Sequence, residues 1–428
     1  MSQPLRLGIA GLGTVGVGVV KIVRQRANLL AARTGRAIEI VAVSARSRDK
    51  DRGVALSGYA WEDDPVALAR RPDVDVFVEL MGGAEGPAKD ATEAAIAAGK
   101  DVVTANKAML ALHGQELAEA AEEAGRVIRF EAAVAGGIPV VKALTEGMAG
   151  NEVTRVMGVM NGTCNYILTR MEDAGLPYDE IFAEAEALGY LEADPNLDVG
   201  GIDAGHKLAL LAAIAYGTRV DFPSVELEGI QKLSIADIRS AADLGYRIKL
   251  LGVAQMTGRG LEQRMSPCLV PADSPLGQLQ GGTNMVVLEG DAVGQIVLRG
   301  AGAGEGPTAS AVMSDIVEIG RGSRITTFGQ PARGLERARP ARASAPAPYY
   351  LRMLLTDKPG AMAKVATVLG EAGISINRMR QMRHESNNAP VVFVTHKTSR
   401  DSLDTALQGF DATGVVQGDP VAIRIEAV

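Results

Sequence analysis

The sequence predicts an α/β protein built from three successive units. The first is a parallel sheet covered by helices, the second an α+β unit with a mixed sheet, and the third a small βαββαβ unit at the C-terminus. Three observations lead there. Short apolar runs alternate with helical patterns over roughly the first 136 residues, which implies a sheet covered on both faces. From about Gly137 the alternation gives way to longer strand-like runs and an all-apolar helix. The stretch RGLERARPARASAPAP, ending near residue 348, then has linker composition and sets off the last 80 residues.

Taken in order, strands are expected at Leu5–Ala10, Ile38–Val43, Val74–Leu80, Asp101–Thr104 and Phe130–Val134, with a helix over Asp90–Ala98 stopped by Gly99. The second unit has a helix around Val140–Ala149 and strands at Val153–Met160, Arg247–Met256, Leu261–Val270, Met285–Leu288 and Gln295–Leu298. Pro307 suits the first turn of a helix reaching Gly320, which returns to the first unit. The last unit reads as strand Tyr349–Leu355, helix Ala361–Ala372, strands Ile374–Met382 and Val391–Thr395, helix Ser402–Gln408 and strand Val421–Ile425. The boundaries are therefore 1–136 with 305–320, then 137–304, a linker at 321–348, and 349–428.

The first strand runs into Gly11-Leu-Gly13-Thr14-Val15-Gly16 and a helix. In that context GxGxxG is a dinucleotide-binding turn. Gly11 permits the turn, Gly13 lets a pyrophosphate approach the backbone, and Gly16 lets the helix pack closely. The phosphates would rest on the helix N-terminus. After the second strand, where an acid would bind the ribose hydroxyls of NAD, the sequence has Arg46, Arg48 and Lys50 instead. That favours a 2′-phosphate and hence NADP(H), with NAD(H) as the second option; a plain basic loop is the bland alternative.

The stretch from Gly189 to Leu211, GYLEADPNLDVGGIDAGHKLALL, gathers Glu192, Asp194, Asp198 and Asp203 before a helix carrying Lys207. Asp203 and Lys207 share a helix face at i and i+4. Such a pair is usually a surface salt bridge. Here the helix continues as LALLAAIA, apolar nearly all round, so both charges enter a core and need a reason. Gly200, Gly201 and Gly205 at its entrance read as room for a substrate. Lys107, after the fourth strand, sits where open α/β sheets bind ligands. Asn161 or Thr163 caps the next helix, and that strand-to-helix junction also suits a carboxylate or aldehyde oxygen. Around Glu131-Ala-Ala-Val134-Ala-Gly136-Gly137-Ile138, the residues alone favour a hinge over an oxygen-lined cation site. The glycines from Gly300 to Gly306 suggest backbone close to a ligand.

Composition excludes other classes. Apolar residues make up 47% and charged residues 22%, with net charge −7, so neither nucleic acid nor an anionic membrane is an expected partner. Cys164 and Cys268 have no metal-like spacing, no signal peptide is expected, and no run of about twenty apolar residues occurs. A reducing cytoplasm fits.

These motifs, GLGTVG at 11–16, TANKA at 104–108, EAAVAGGIP at 131–139, NGT at 161–163 and above all GYLEADPNLDVGGIDAGHK at 189–207, resemble homoserine dehydrogenase over the whole chain. The resemblance implies a Rossmann-type nucleotide-binding domain, a substrate and dimerisation domain, and a C-terminal ferredoxin-like ACT domain. It implies reversible reduction of L-aspartate 4-semialdehyde to L-homoserine with NAD(P)H, in threonine and methionine biosynthesis. Lys207 matches the catalytic lysine, with Asp203 and Lys107 beside it, and Glu192, Asp198, Asp203, Gly162, Thr163 and Tyr190 match substrate positions. Gly11, Gly13, Thr14, Val15, Gly16, Arg46, Lys107, Gly189 and Gly304 are the cofactor positions. The resemblance also implies a sodium-type cation at Glu131, Val134, Gly136 and Ile138, an effector (threonine by analogy) at Asp357, Gly360 and Asn377, and a homo-oligomer, dimer or tetramer.

Two rival readings remain at the level of sequence. Another amino-acid-pathway dehydrogenase would also use an acidic cluster with a lysine. A non-enzymatic nucleotide-sensing regulator explains both ends of the chain but leaves the central carboxylates and lysine without a task.

Overall fold

The alternation of the first 136 residues folds into a six-stranded parallel sheet. The computed structural model describes residues 3–191, 194–341, 344–382 and 387–428. Strands β1 (Leu5–Ala10), β2 (Ile38–Ser44), β3 (Ala60–Glu62), β4 (Val76–Glu79), β5 (Asp101–Thr104) and β6 (Ile128–Arg129) pair in the order β3-β2-β1-β4-β5-β6. The order reverses between β1 and β4, which opens a crevice at their carboxyl ends. The helix Glu305–Gly320 returns to pack on the helix Thr14–Gln25, and Gly18 gives it room: a Cβ there would lie 2.9 Å from Ala309 Cβ.

The strand expected at Phe130–Val134 does not form. The sheet ends at Arg129, and Glu131–Ala135 is a helical turn. Its alanines favour helix, and the Glu131 carboxylate accepts the Val141 and Lys142 N–H groups at 2.8 and 2.9 Å, closing the next turn against it. The helix expected over Val140–Ala149 is an α-helical turn, Val140–Lys142, continued by a π-helical one, Ala143–Gly147.

The second unit contains β7 (Val153–Val159), β8 (Glu226–Leu227), β9 (Tyr246–Thr257), β10 (Gly260–Pro271), β11 (Thr283–Gly290) and β12 (Gly294–Ala301). β12-β11-β7-β9-β10 is antiparallel throughout. The helices Gly162–Ala174, Ile202–Tyr216 and Ile235–Asp243 pack on β9. The helix Ile202–Tyr216 is the central one, buried from Lys207 through Ile214.

The C-terminal unit forms β13 (Tyr349–Thr356), β14 (Ile376–Gln381), β15 (Asn388–Thr395) and β16 (Val416–Ile425), in the order β16-β13-β15-β14, with helices Ala361–Glu371 and Arg400–Asp411 over a core of its own. This is the βαββαβ arrangement expected. Its edge strand is not free, however. β16 pairs in parallel with β10 at Cys268↔Arg424 and Leu269↔Ile425, so one ten-stranded mixed sheet runs through both units. Arg264, buried on β10, bonds Glu262 at 3.0 Å and Glu426, which is equally buried; Arg155 on β7 lies 3.7 Å from Glu426 and donates to the Ala427 carbonyl at 2.7 Å.

The segment expected as a linker, 321–348, is pinned to both units at several points. Phe328 is fully buried and packs edge-on against Phe130 at 5.9 Å, while Ala332 and Leu335 are also buried. Backbone bonds join Arg219 to Glu336 and Leu261 to both Arg339 and Ala341. Linker composition concealed these anchors because they are spaced singly among charged residues. Among the described residues no helix is long and apolar enough to cross a membrane.

Candidate active site

Two cavities flank the glycine turn. The first, of about 800 Å³, lies at the β1/β4 reversal between Gly11–Gly13 and Leu80–Gly82, and extends to Ser44, Arg46 and Lys50 after β2. Gly11 has φ +99°, and a Cβ there would sit 2.4 Å from the Leu80 carbonyl oxygen. A Cβ on Gly16 would lie 2.0 Å from the Gly11 carbonyl oxygen, so this glycine lets the helix close on the turn. A Cβ on Gly13 would meet nothing within 4 Å, leaving the bare backbone of the helix N-terminus open to the cavity. An open glycine at that point fits a pyrophosphate on the free N–H groups. Arg48 is not part of the cavity wall; its guanidinium lies 5.8 Å from the Trp61 ring. Arg52, which the sequence reading passed over, lines the same cavity and donates to the carbonyls of Leu12 at 3.1 Å and Ser47 at 2.6 Å. It ties the basic loop to the glycine turn.

The second cavity, of about 680 Å³, begins at Thr14 and Val15 and runs between the two sheets. Lys107, Val134, Gly136, Gly162, Thr163, Gly189, Tyr190, Asp198, Asp203, Lys207 and Gly304 all reach its wall. Most candidates separated by up to 200 residues in sequence therefore meet here.

At its centre is Asp203, in the first turn of the helix Ile202–Tyr216. Lys207 Nζ lies 2.7 Å from Asp203 Oδ2, and Lys107 Nζ, from the first turn of another helix, lies 2.9 Å from Asp203 Oδ1. Burial works against ionisation of Asp203, but the two lysines overcome it and hold the carboxyl well below the usual carboxylate range. Lys207 also donates to the Met160 carbonyl at 2.8 Å, at the end of β7. An ammonium has three N–H donors; these two bonds leave one for the cavity.

Asn161 has a double task. Its Oδ1 caps the helix Gly162–Ala174 by accepting the Cys164 N–H at 2.8 Å, while Nδ2 donates to Asp198 Oδ1 at 2.9 Å and lies 3.4 Å from Asp203 Oδ2. The capping role was legible; the bridge between the two acids was not. Thr163 Oγ1 donates to the Tyr190 carbonyl at 2.9 Å, and the Tyr190 ring stacks on Tyr166 at 4.5 Å. These contacts fix the loop at the cavity mouth.

Several expectations need correction or fall elsewhere. Gly200, Gly201 and Gly205 make room for protein, not for a substrate. A Cβ on Gly205 would lie 2.7 Å from Leu227 Cδ2, one on Gly201 3.2 Å from Met265 Cγ, and one on Gly200 2.5 Å from the Asn196 carbonyl oxygen. The glycines that border the cavity are Gly136, Gly162, Gly189, Gly282, Gly302 and Gly304. Asp194 is the cap of the helix Pro195–Val199, accepting the Asn196 N–H at 3.1 Å. Glu192 lies outside the described residues. Burial pushes the Cys164 thiol well up, which leaves it inert.

Behind the cavity, Glu131 and Ile138 are buried, while Val134 and Gly136 of the same segment border the cavity itself. Burial and the neighbouring Asp315 push the Glu131 carboxyl up to about 7, against the pull of Lys142, 3.8 Å away. In the C-terminal unit Gly360, with φ +83°, follows the turn after β13, near Asp357. Asn377 is on β14, beside Val394 and hence the other end of β13. The register sets it roughly 20 Å from that turn in the same chain, so the chain does not bring these three together by itself.

Fold and cavity point to a class, a dinucleotide-dependent oxidoreductase with a lysine-bearing cavity beside its glycine turn. Family models match in order along the chain: the homoserine dehydrogenase NAD-binding domain over residues 11–131, the homoserine dehydrogenase domain over 139–317 and the ACT domain over 349–408. Homoserine dehydrogenases from Neisseria gonorrhoeae and Pseudomonas aeruginosa are 41% and 42% identical, over 100% and 99% of this chain and 99% of each relative. A crystal structure of a homoserine dehydrogenase from Thiobacillus denitrificans is 40% identical, with TM-score 0.93 over 99% of this chain and 98% of that one. A hyperthermophilic archaeal homoserine dehydrogenase solved with NADPH is 27% identical, with TM-score 0.63 over 74% of this chain and 97% of its own. The chain belongs to the homoserine dehydrogenase family and is an NAD(P)-dependent oxidoreductase with an ACT domain.

Proposed function

We propose that Lys207 is the proton donor and acceptor in the reversible reduction of L-aspartate 4-semialdehyde to L-homoserine, with Asp203 and Lys107 setting its position and charge. The observation that carries this is the Lys107–Asp203–Lys207 chain of ion pairs on the wall of a cavity that also touches the glycine turn. A dinucleotide held at Gly11, Gly13 and the helix N-terminus that follows would supply hydride to the carbonyl carbon, or take it up in the reverse direction. The carbonyl oxygen would gather negative charge in that transfer, and the remaining N–H of Lys207 is placed to hold it and pass its proton. Asp203 stays ionised and keeps Lys207 aimed. Asp198, with Glu192 as the family motif implies, receives the substrate's ammonium, and Gly162–Thr163 at a helix N-terminus suits its carboxylate. Asp203→Asn tests the arrangement: kcat should fall about 10²-fold with the dinucleotide KM unchanged. Unchanged turnover would remove Asp203 from the site.

NADPH is the proposed preferred cofactor. Arg46 and Lys50 bordering the first cavity support this, as does the archaeal relative solved with NADPH. A sodium-type cation at Glu131, Val134, Gly136 and Ile138 is proposed from the family motif, with Val134 and Gly136 bordering the cavity and the Glu131 carboxyl buried behind them. Threonine, bound at Asp357, Gly360 and Asn377, is the proposed effector. The separation of Asn377 from that turn is consistent with contributions from two copies of the chain, and so with a homo-oligomer. A cytoplasmic setting is proposed, in keeping with two free, buried cysteines. Removing residues 349–428 is a poor test of the regulation, because β10 would lose β16 and Arg264 would lose Glu426. Asp357→Asn in the full chain leaves that junction intact.

A further inference from the structure

Asn284 opens β11 and is only 2% exposed, yet its Oδ1 has no hydrogen-bond partner. Nearly all buried polar groups in folded proteins are satisfied, so a buried amide oxygen without a partner in a cavity wall is a place where a ligand that settles against that wall can supply the missing bond. This one is on the wall of the cavity that holds Lys207 and Asp203. Its position is built rather than incidental. A Cβ on Gly302 would fall 2.0 Å from Asn284 Nδ2, and one on Gly162 would fall 3.4 Å from Oδ1, so the amide packs against two glycine backbones. The next residue, Met285, pairs with Val159 on β7, the strand that ends in Met160 and Asn161. The amide is therefore fixed in register with the carbonyl that holds Lys207.

We propose that Asn284 is a specificity residue that binds the α-amino-acid head of the substrate, its Oδ1 accepting from the ammonium and its Nδ2 donating to the carboxylate. The neighbouring wall decides between the two ligands of the cavity. Asn284 stands with Gly162, at the N-terminus of the helix Gly162–Ala174, and with Gly282, which a Cβ would bring 3.5 Å from the Tyr190 ring. Thr14 and Val15, which begin the glycine-turn helix, belong to the dinucleotide side. An amide offers one acceptor and two donors, the complement of a zwitterion, and selects a substrate that keeps both its amino and carboxyl groups. Nothing in the apolar run that follows Asn284 marks it in the sequence.

The inference rests on the reading of this cavity as the catalytic one, and its test is separate from the test of Lys207. Asn284→Leu replaces the open amide by an apolar group of similar size, and Asn284→Ser is a smaller second variant. In both, the KM for homoserine should rise about tenfold or more, with kcat within about threefold and the NADP KM within about twofold of the parent. The thermal midpoint of the ligand-free Asn284→Leu protein should not fall, because an unsatisfied buried amide has been removed; added homoserine should stabilise either variant less than the parent. A homoserine KM unchanged in both variants would overturn the proposal. So would a rise in the NADP KM instead, which would assign the amide to the nicotinamide carboxamide. A normal kcat in Lys207→Ala would instead remove the underlying reading of the cavity.

Discussion

Lys207 and Asp203 form an ion pair one helical turn apart, Nζ to Oδ2 at 2.7 Å, at the start of a helix buried from Lys207 through Ile214. Each charge alone would be costly there. Together, and with Lys107 on the other carboxylate oxygen, these three groups carry one net positive charge, which suits the proposed place of an aldehyde oxygen that turns negative.

The first prediction concerns pH. Asp203 is held below its unfolded value, so its contribution to stability is complete above about pH 4 and is lost as pH falls towards the folded value. The urea midpoint of Asp203→Asn should therefore depend less on pH than the parent's below about pH 4. Identical acid limbs would mean that the lysines do not hold the carboxylate.

Glu131 has the opposite sign. Its carboxyl, pushed up to about 7, binds a proton in the folded protein that the unfolded chain has already lost, so stability declines as pH rises from the usual carboxylate range towards 7. Glu131→Gln should flatten that decline. Sodium should restore stability to the parent at about pH 8 and leave the variant unaffected, compared with choline at equal ionic strength. Equal effects of the two salts on the parent would remove the cation from Glu131.

At the joint between β10 and β16, Glu426 holds Arg264 in a buried setting. Glu426→Ala leaves that guanidinium with Glu262 as its remaining carboxylate partner and should lower stability by about 2–3 kcal/mol in urea titration. A loss under about 1 kcal/mol would mean that the joint relies on backbone pairing alone.

Arg46 and Lys50 frame the cofactor preference. Arg46→Ala should raise the KM for NADPH about tenfold with little change for NADH. Equal changes for both dinucleotides would contradict a phosphate contact.

Local rules made much of this legible. Strand, glycine turn and helix identified the dinucleotide end, and i,i+4 spacing paired Asp203 with Lys207. Contacts that depend on long-range closure left no local trace. Lys107 reaches Asp203 across 96 positions, Asn161 bridges two acids while also serving as a cap, and β16 joins β10 through backbone bonds that any apolar strand can make. Asn284 is a single amide at the start of an ordinary strand. Gly200, Gly201 and Gly205 misled because a glycine reports only that something comes close, here Asn196, Met265 and Leu227. Phe130–Val134 misled because an alanine-rich run beside one glutamate suits a helix as well as a short apolar strand.

The account turns on one group, and single-turnover rates of Lys207→Ala measure it most directly. With NADPH and aspartate semialdehyde both saturating, the rate of reduction should fall by about 10²–10⁴-fold while dinucleotide binding remains at the parent value. A rate within about threefold of the parent would show that another group supplies the proton, and the central assignment would fail.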